Sequence, residues 1–178
     1  MDLRPRLRGG LVSTILAALG AALMTGSVLA ARSASVADLT LSAVDYAHAD
    51  QTSTGTLSLT VTDTGSPADG WNVTISSSAF AYAGTNNGSS IAAANFRIEA
   101  ANGPTVVSGQ AIDPTGGPKV PTSGATGTLE VARKVLQADA GFGVGTYEQE
   151  LGVALTIPGQ SRAGTYTATL SVTIAAGP

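Results

Sequence analysis

Apolar and polar residues alternate with a period of two through much of this chain, most clearly where Trp71, Val73 and Ile75 interleave with Asn72, Thr74 and Ser76. Successive side chains of a strand point to opposite faces, so this pattern predicts a strand with one buried and one wet face. Leu57, Leu59 and Val61 against Thr56, Ser58, Thr60 and Thr62 predict a second strand just upstream. The run Asp63, Thr64, Gly65, Ser66, Pro67, Ala68, Asp69 between them is turn chemistry, so the pair is expected to form a hairpin. Tyr166, Ala168, Leu170, Val172 and Ile174 give the most regular strand, preceded by one carrying Leu151, Val153, Leu155 and Ile157. Residues 158–164 join these two either as a hairpin or as a crossing between sheets.

Weaker patterns fill the remainder. Residues 35–46 place Leu39, Leu41 and Ala43 on one parity and predict a first strand; residues 91–101 set Phe96 and Ile98 opposite Asn95, Arg97 and Glu99. Thr105, Val106 and Val107 read as a short continuation. Residues 128–140 are ambiguous. Leu129, Ala132 and Leu136 recur at nearly helical spacing, yet Leu129, Val131, Arg133 and Val135 share a strand parity, and the β pattern on either side favours a strand. Residues 84–90 and the proline-rich 110–127 are expected as loops. The sum is an all-β chain: an antiparallel two-sheet β-sandwich of about seven to nine strands, preceded by an N-terminal signal helix.

Composition sharpens this. Apolar residues make up 43% of the chain but aromatics only 4%, so alanine supplies much of the apolar fraction and Trp71, the sole tryptophan, is expected to anchor the core. Residues 1–30 have the layout of a secretory signal: Arg4, Arg6 and Arg8, an apolar stretch over 11–24, and Ser27, Val28, Leu29 and Ala30 before a cut after Ala30 or Ala31. Residues 31–178 then form a single domain. Residues 11–31 are also long enough to serve as a retained membrane anchor. Without the signal, six basic residues face eleven acidic ones. The resulting negative charge excludes nucleic acid and anionic lipid as natural partners, and leaves membrane contact to the signal segment alone. No cysteine is present, so thiol chemistry, disulfides and zinc–thiolate sites are excluded.

Candidate chemistry is sparse. His48, the only histidine, lies in a Thr/Ser-rich loop and reads as a solvated side chain rather than a triad base. Glu148 and Glu150 fall on one strand face roughly 7 Å apart, a spacing compatible with glycoside hydrolysis, though a charged outer face explains them as well. Asp63 and Asp69 bracket a turn that has oxygen ligands for calcium but matches no EF-hand spacing, and Asx hydrogen bonding accounts for it. No catalytic, metal or cofactor site is assigned. The threonine and serine along the strands give hydroxyl-rich faces suited to solvent, sugars or another sheet.

Gly70-Trp71-Asn72-Val73-Thr74-Ile75-Ser76, Gly141-Phe142-Gly143-Val144-Gly145 before an apolar strand, and Ile157-Pro158 with Ala163-Gly164-Thr165-Tyr166-Thr167-Ala168-Thr169-Leu170-Ser171-Val172-Thr173-Ile174 together resemble the WxL domain proteins of bacterial cell surfaces. The resemblance spans Leu39 to the C-terminus. It implies an exported, non-enzymatic protein bound non-covalently to the cell wall through peptidoglycan or another wall glycan, with roles in surface complexes and adhesion. Two positions depart from the family pattern: Val73 replaces a leucine, and Val172 stands where a second tryptophan is usual. Trp71, Val73, Tyr166 and Leu170 are expected to be mostly buried. If glycan is the ligand, Tyr82, Phe142 and Tyr147, beside glycine-rich loops, are the expected stacking residues. The competing reading is a structural subunit that self-associates or binds other surface proteins, adding strands at the edge near Leu39 or along Tyr166 to Ile174 to build a filament or layer.

Overall fold

Two six-stranded sheets face each other with the alternating apolar residues between them. The structure, a computed structural model, describes residues 15–19, 32–65 and 69–178. In chain order the strands are β1 (Ile15–Leu19), β2 (Arg32–Val36), β3 (Thr40–Leu41), β4 (Gln51–Asp63), β5 (Trp71–Ser77), β6 (Ala81–Ala83), β7 (Phe96–Ala101), β8 (Thr105–Gly109), β9 (Gly127–Thr128), β10 (Arg133–Ala138), β11 (Gly145–Ile157) and β12 (Thr165–Ala176). Nine of them have five residues or more. One sheet runs β10-β5-β12-β1-β3 with β6 also on β12; the other runs β2-β4-β11-β7-β9 with β8 also on β11. Every pairing is antiparallel except β1 with β12.

The long strands follow their alternation. Leu57, Leu59 and Val61 of β4, Trp71, Val73 and Ile75 of β5, and Tyr166, Ala168, Leu170 and Ile174 of β12 are all buried. Phe80 and Phe96 meet edge to face, their ring centroids 5.3 Å apart. Most hydroxyl residues of the same strands face outward, so each sheet buries one face only; Ser53 of β4 is buried and donates to the Ser42 carbonyl at 2.9 Å.

Three expectations are corrected. β4 and β5 do not form a hairpin: β4 lies between β2 and β11 while β5 lies between β10 and β12, so the turn crosses from one sheet to the other. Both strands have an apolar face, and those faces meet across the core rather than side by side; residues 66–68 of that turn lie outside the described residues. β11 and β12 also lie in different sheets, which decides between the two connections open to residues 158–164 in favour of the crossing. The first strand is broken into β2 and the two-residue β3, and Ala43 is exposed, too small to hold the chain on the core by itself. Of the expected signal helix only β1 is described, and it is extended; a five-residue apolar run fits either state, and sheet pairing decides it. The remainder of residues 1–30 lies outside the described residues.

Residues 128–140 contain the strand β10, and the helix-like spacing has a local cause. The pairing of β10 with β5 slips between Lys134 and Leu136, so the consecutive residues Val135 and Leu136 are both buried, while Val131 is exposed. A bulge of this kind shifts the inward parity by one residue.

Candidate functional site

The two ends of the sandwich are built differently. At one end Trp71, which opens β5, is 0% exposed, and its indole Nε1–H donates to the Gly143 carbonyl at 3.0 Å. Gly143 has φ +86°, and a Cβ there would sit 2.6 Å from that Nε1, so the position requires glycine on two counts. Gly70, at φ +62°, is likewise restricted to glycine, since a Cβ there would sit 2.3 Å from the Ala138 carbonyl oxygen. Tyr147 lies beside the indole, 0% exposed, with its hydroxyl between the carbonyls of Gln110 at 2.8 Å and Val144 at 3.0 Å. Burial pushes its phenol above the ordinary tyrosine pKa, with the nearby Asp63 charge adding to the effect. Asp63 is itself buried and fully engaged: Oδ2 accepts from Arg32 Nε at 2.9 Å and Oδ1 from the Gly65 amide at 2.9 Å. The motif glycines and the tryptophan therefore close this end with packing and hydrogen bonds, leaving no indole face for a ligand.

At the other end three loops converge: residues 42–50, 84–90 and 158–164. Tyr82 of β6 donates its hydroxyl to the Ala163 carbonyl at 2.8 Å and accepts from the Asn86 amide at 3.1 Å. Asn86 Nδ2 reaches the same carbonyl at 3.1 Å. Tyr166 packs against Tyr82 with centroids 5.3 Å apart and donates to the Arg162 carbonyl at 2.8 Å. Its phenol is also raised above the ordinary value, chiefly by burial. Asp50 Oδ1 accepts from the Gly159 amide at 2.9 Å, tying in the third loop. Gly84, Gly88 and Gly164 lie so close to the Tyr82 ring that a Cβ on any of them would collide with it.

Above this scaffold two adjoining hollows open, of about 470 Å³ and 260 Å³. The larger is lined by Tyr46, Asn86, Asn87 and Arg162, the smaller by Asn87, Ser89, Ser90, Gln160 and Arg162 among others. Tyr46 is 46% exposed and its ring stands edge-on to His48, centroids 5.1 Å apart. Asn87 holds a left-handed backbone at φ +49° and is exposed. Arg162 borders both hollows, is exposed, and makes no ion pair among the described residues. An exposed ring face, several amides and an unneutralised guanidinium on tethered loops form a hydrogen-bonding and stacking surface.

The sequence-derived candidates are scattered over the molecule. Tyr147 is corrected: it is sealed inside the closed end and has no face to offer a ligand. Phe142 is half-buried at that same end, its ring against Gly116. Tyr82 is half-buried at the open end, where it positions the loops beneath the hollows. Trp71, Val73, Tyr166 and Leu170 are all buried. Val172 pairs with Ile75 and packs against the core, so the place of the family's second tryptophan is a packing position. His48 is exposed, its Nδ1 3.5 Å from the Tyr46 hydroxyl. Glu148 and Glu150 stand in the open on the outer face of β11, opposite Thr60 and Ser58. Nothing buries either carboxyl as a general acid requires. Tyr46, Asn86, Asn87 and Arg162 escaped the sequence reading; the run Asn86-Asn87-Gly88 marked a loop tip, but nothing local says that residues 40 to 75 positions away join it.

Among the described residues no group of three or more side chains is able to hold a metal ion, and no helix is long and apolar enough to cross a membrane. No curated protein and no solved structure matches the chain. A family model does match, that of the WxL domain, described as surface cell wall-binding, over residues 28–178. With the indole buried at the closed end, the motif glycines packed around it and nearly the whole chain matched, this chain belongs to the WxL domain family of surface cell wall-binding proteins.

Proposed function

We propose that this is an exported, non-enzymatic protein that holds the cell wall non-covalently by gripping wall glycan, peptidoglycan first, at the open end of the sandwich. The observation that carries the reading is Arg162, a cation without an ion pair among the described residues, shared by two adjoining hollows beside the exposed Tyr46. The tyrosine face suits the C–H face of a sugar ring, Asn86 and Asn87 suit hydroxyl and acetamido groups, and the guanidinium suits the carboxylates of peptidoglycan. Tyr82 and Tyr166 preorganise the loops, which lowers the entropy lost on binding. Glu148 and Glu150 line a separate hollow of about 180 Å³ on the outer face of β11, where both carboxyls stay exposed instead of being buried as a general acid requires. Attachment to the wall gives an adhesion role its physical footing.

Co-sedimentation of the exported protein with purified peptidoglycan tests the reading. The protein is expected in the pellet, with the double variant Tyr46→Ala, Arg162→Gln bound about tenfold more weakly, equivalent to roughly 1.4 kcal/mol. No pelleting above a non-binding control protein overturns wall-glycan binding, and an unaffected double variant moves the site elsewhere. Release of soluble sugar that vanishes in the variant Glu148→Gln, Glu150→Gln overturns the non-enzymatic part.

A further inference from the structure

The β12 edge away from β5 has one partner among the described residues, β1, in parallel register from Ile15 opposite Tyr166 to Leu19 opposite Leu170. On the far side of β1 lies β3, and β1 is its only ladder partner among the described residues. Without β1 the sheet therefore has a gap one strand wide between β12 and β3. The backbone groups left in that gap are identifiable. The Ser78 amide donates to the Thr169 carbonyl at 3.0 Å and the Thr169 amide to Ser78 Oγ at 3.0 Å, so the polar groups of Thr169 point toward β5. Amide direction alternates along a strand, so those of Tyr166, Ala168 and Leu170 point into the gap. Their side chains and Leu41 are buried with β1 in place. An open edge backed by core residues is a template for another strand.

The chemistry of the natural occupant is written in β1: five consecutive apolar residues, Ile-Leu-Ala-Ala-Leu. These residues lie inside the segment read from the sequence as an export signal. We propose that once that segment is removed, the gap between β12 and β3 receives, in trans, an extended apolar stretch of about five residues from a different exported polypeptide, running parallel to β12. A second copy of this chain is the poorer donor. Its mature part lacks the Ile15–Leu19 sequence, and the one strand left unpaired without β1 is the two-residue β3, too short to fill the gap. Main-chain hydrogen bonds supply the affinity and the apolar residues the selectivity. The inference rests on the export reading, and is independent of the glycan site.

The test uses the protein recovered after export. Mass spectrometry of its N-terminus comes first; retention of residues 15–19 leaves the gap filled in cis and overturns the proposal. In the processed protein, the amides of Tyr166, Ala168 and Leu170 are expected to exchange with solvent at least tenfold faster than those of Val73 and Ile75. Millimolar synthetic peptide of residues 13–20 is expected to slow them at least tenfold. The same peptide carrying Ala17→Pro and Ala18→Pro lacks both amides, one of which must face β12 because direction alternates, and is expected to have no effect. Amides already protected without peptide mean that the sheet has closed on itself, and equal protection by the proline peptide means non-specific binding; either overturns the proposal. Edge protection that appears only as the exported protein dimerises identifies a second copy as the occupant and overturns the choice of a foreign strand. Peptidoglycan pelleting measured on the same sample separates failure of the glycan reading from failure of this one.

Discussion

The closed and open ends of the sandwich use the same materials, aromatic hydroxyl or indole groups hydrogen-bonded to loop carbonyls, with glycines packed around the rings. At the closed end Trp71 bonds the Gly143 carbonyl and is completely covered. At the open end Tyr82 and Tyr166 bond the Ala163 and Arg162 carbonyls from beneath, so the side chain of Arg162 and the neighbouring Tyr46 remain outside. One arrangement consumes its aromatics in stability; the other uses the half-buried Tyr82 and the buried Tyr166 to display different residues. The motif tryptophan of a wall-binding family thus need not touch the wall.

Substitution separates the two ends, and the largest effect belongs to the closed one. Trp71→Ala is expected to cost about 3–5 kcal/mol in urea unfolding, the range for losing a fully buried large aromatic. The variant that remains folded is expected to keep wall binding; a selective loss of binding without destabilisation would reverse the assignment of the indole. Arg32→Ala comes next, at about 3 kcal/mol, because it leaves the buried Asp63 carboxylate without its cation. Tyr82→Phe removes one hydroxyl from two hydrogen bonds and is expected to lose about 1 kcal/mol, with a proportionally larger loss of peptidoglycan pelleting. Arg162→Gln alone is expected to leave thermal stability within about 0.5 kcal/mol while weakening pelleting severalfold, since its exposed side chain makes no ion pair among the described residues.

Titration gives the gentlest probe. Tyr147 at the closed end and Tyr166 at the open end both have phenols raised by burial, so folded chains keep protons that unfolded chains release. Their contribution is intact below the ordinary tyrosine pKa of 10.0 and is lost as pH rises beyond it. Alkaline melts are therefore expected to show falling stability above pH 10, with Tyr147→Phe shallower in slope than the parent. A slope unchanged in that variant would show that Tyr147 ionises freely and that the closed end opens.

The strands that bury one face were legible because alternation is a local property. Trp71 to Ile75, Leu57 to Val61 and Tyr166 to Ile174 each reveal their inward parity without reference to any other part of the chain. The bulge in β10 was not, since it depends on how Val135 and Leu136 fit against β5. Pairing was not legible either: the turn after Asp63 reads as a hairpin connection whether its strands lie side by side or face each other, and only competition from β2 and β11 for the edges of β4 decides. Aromatics beside glycine were recognisable as special, but their burial was not, because a glycine next to a ring serves a covered packing contact as readily as an open platform.

The sequence by itself determined the all-β class, the inward parity of the long strands, the negative charge of the domain and the motif residues that place the chain in its family. Each is carried by neighbours in the chain. Tertiary structure decided which strands share a sheet, that Trp71 and Tyr147 are sealed while Tyr46 and Arg162 are displayed, and that three loops far apart in sequence meet at one end. Those outcomes depend on long-range contacts, whose energies are set by which faces and edges are left free once every other strand has been placed.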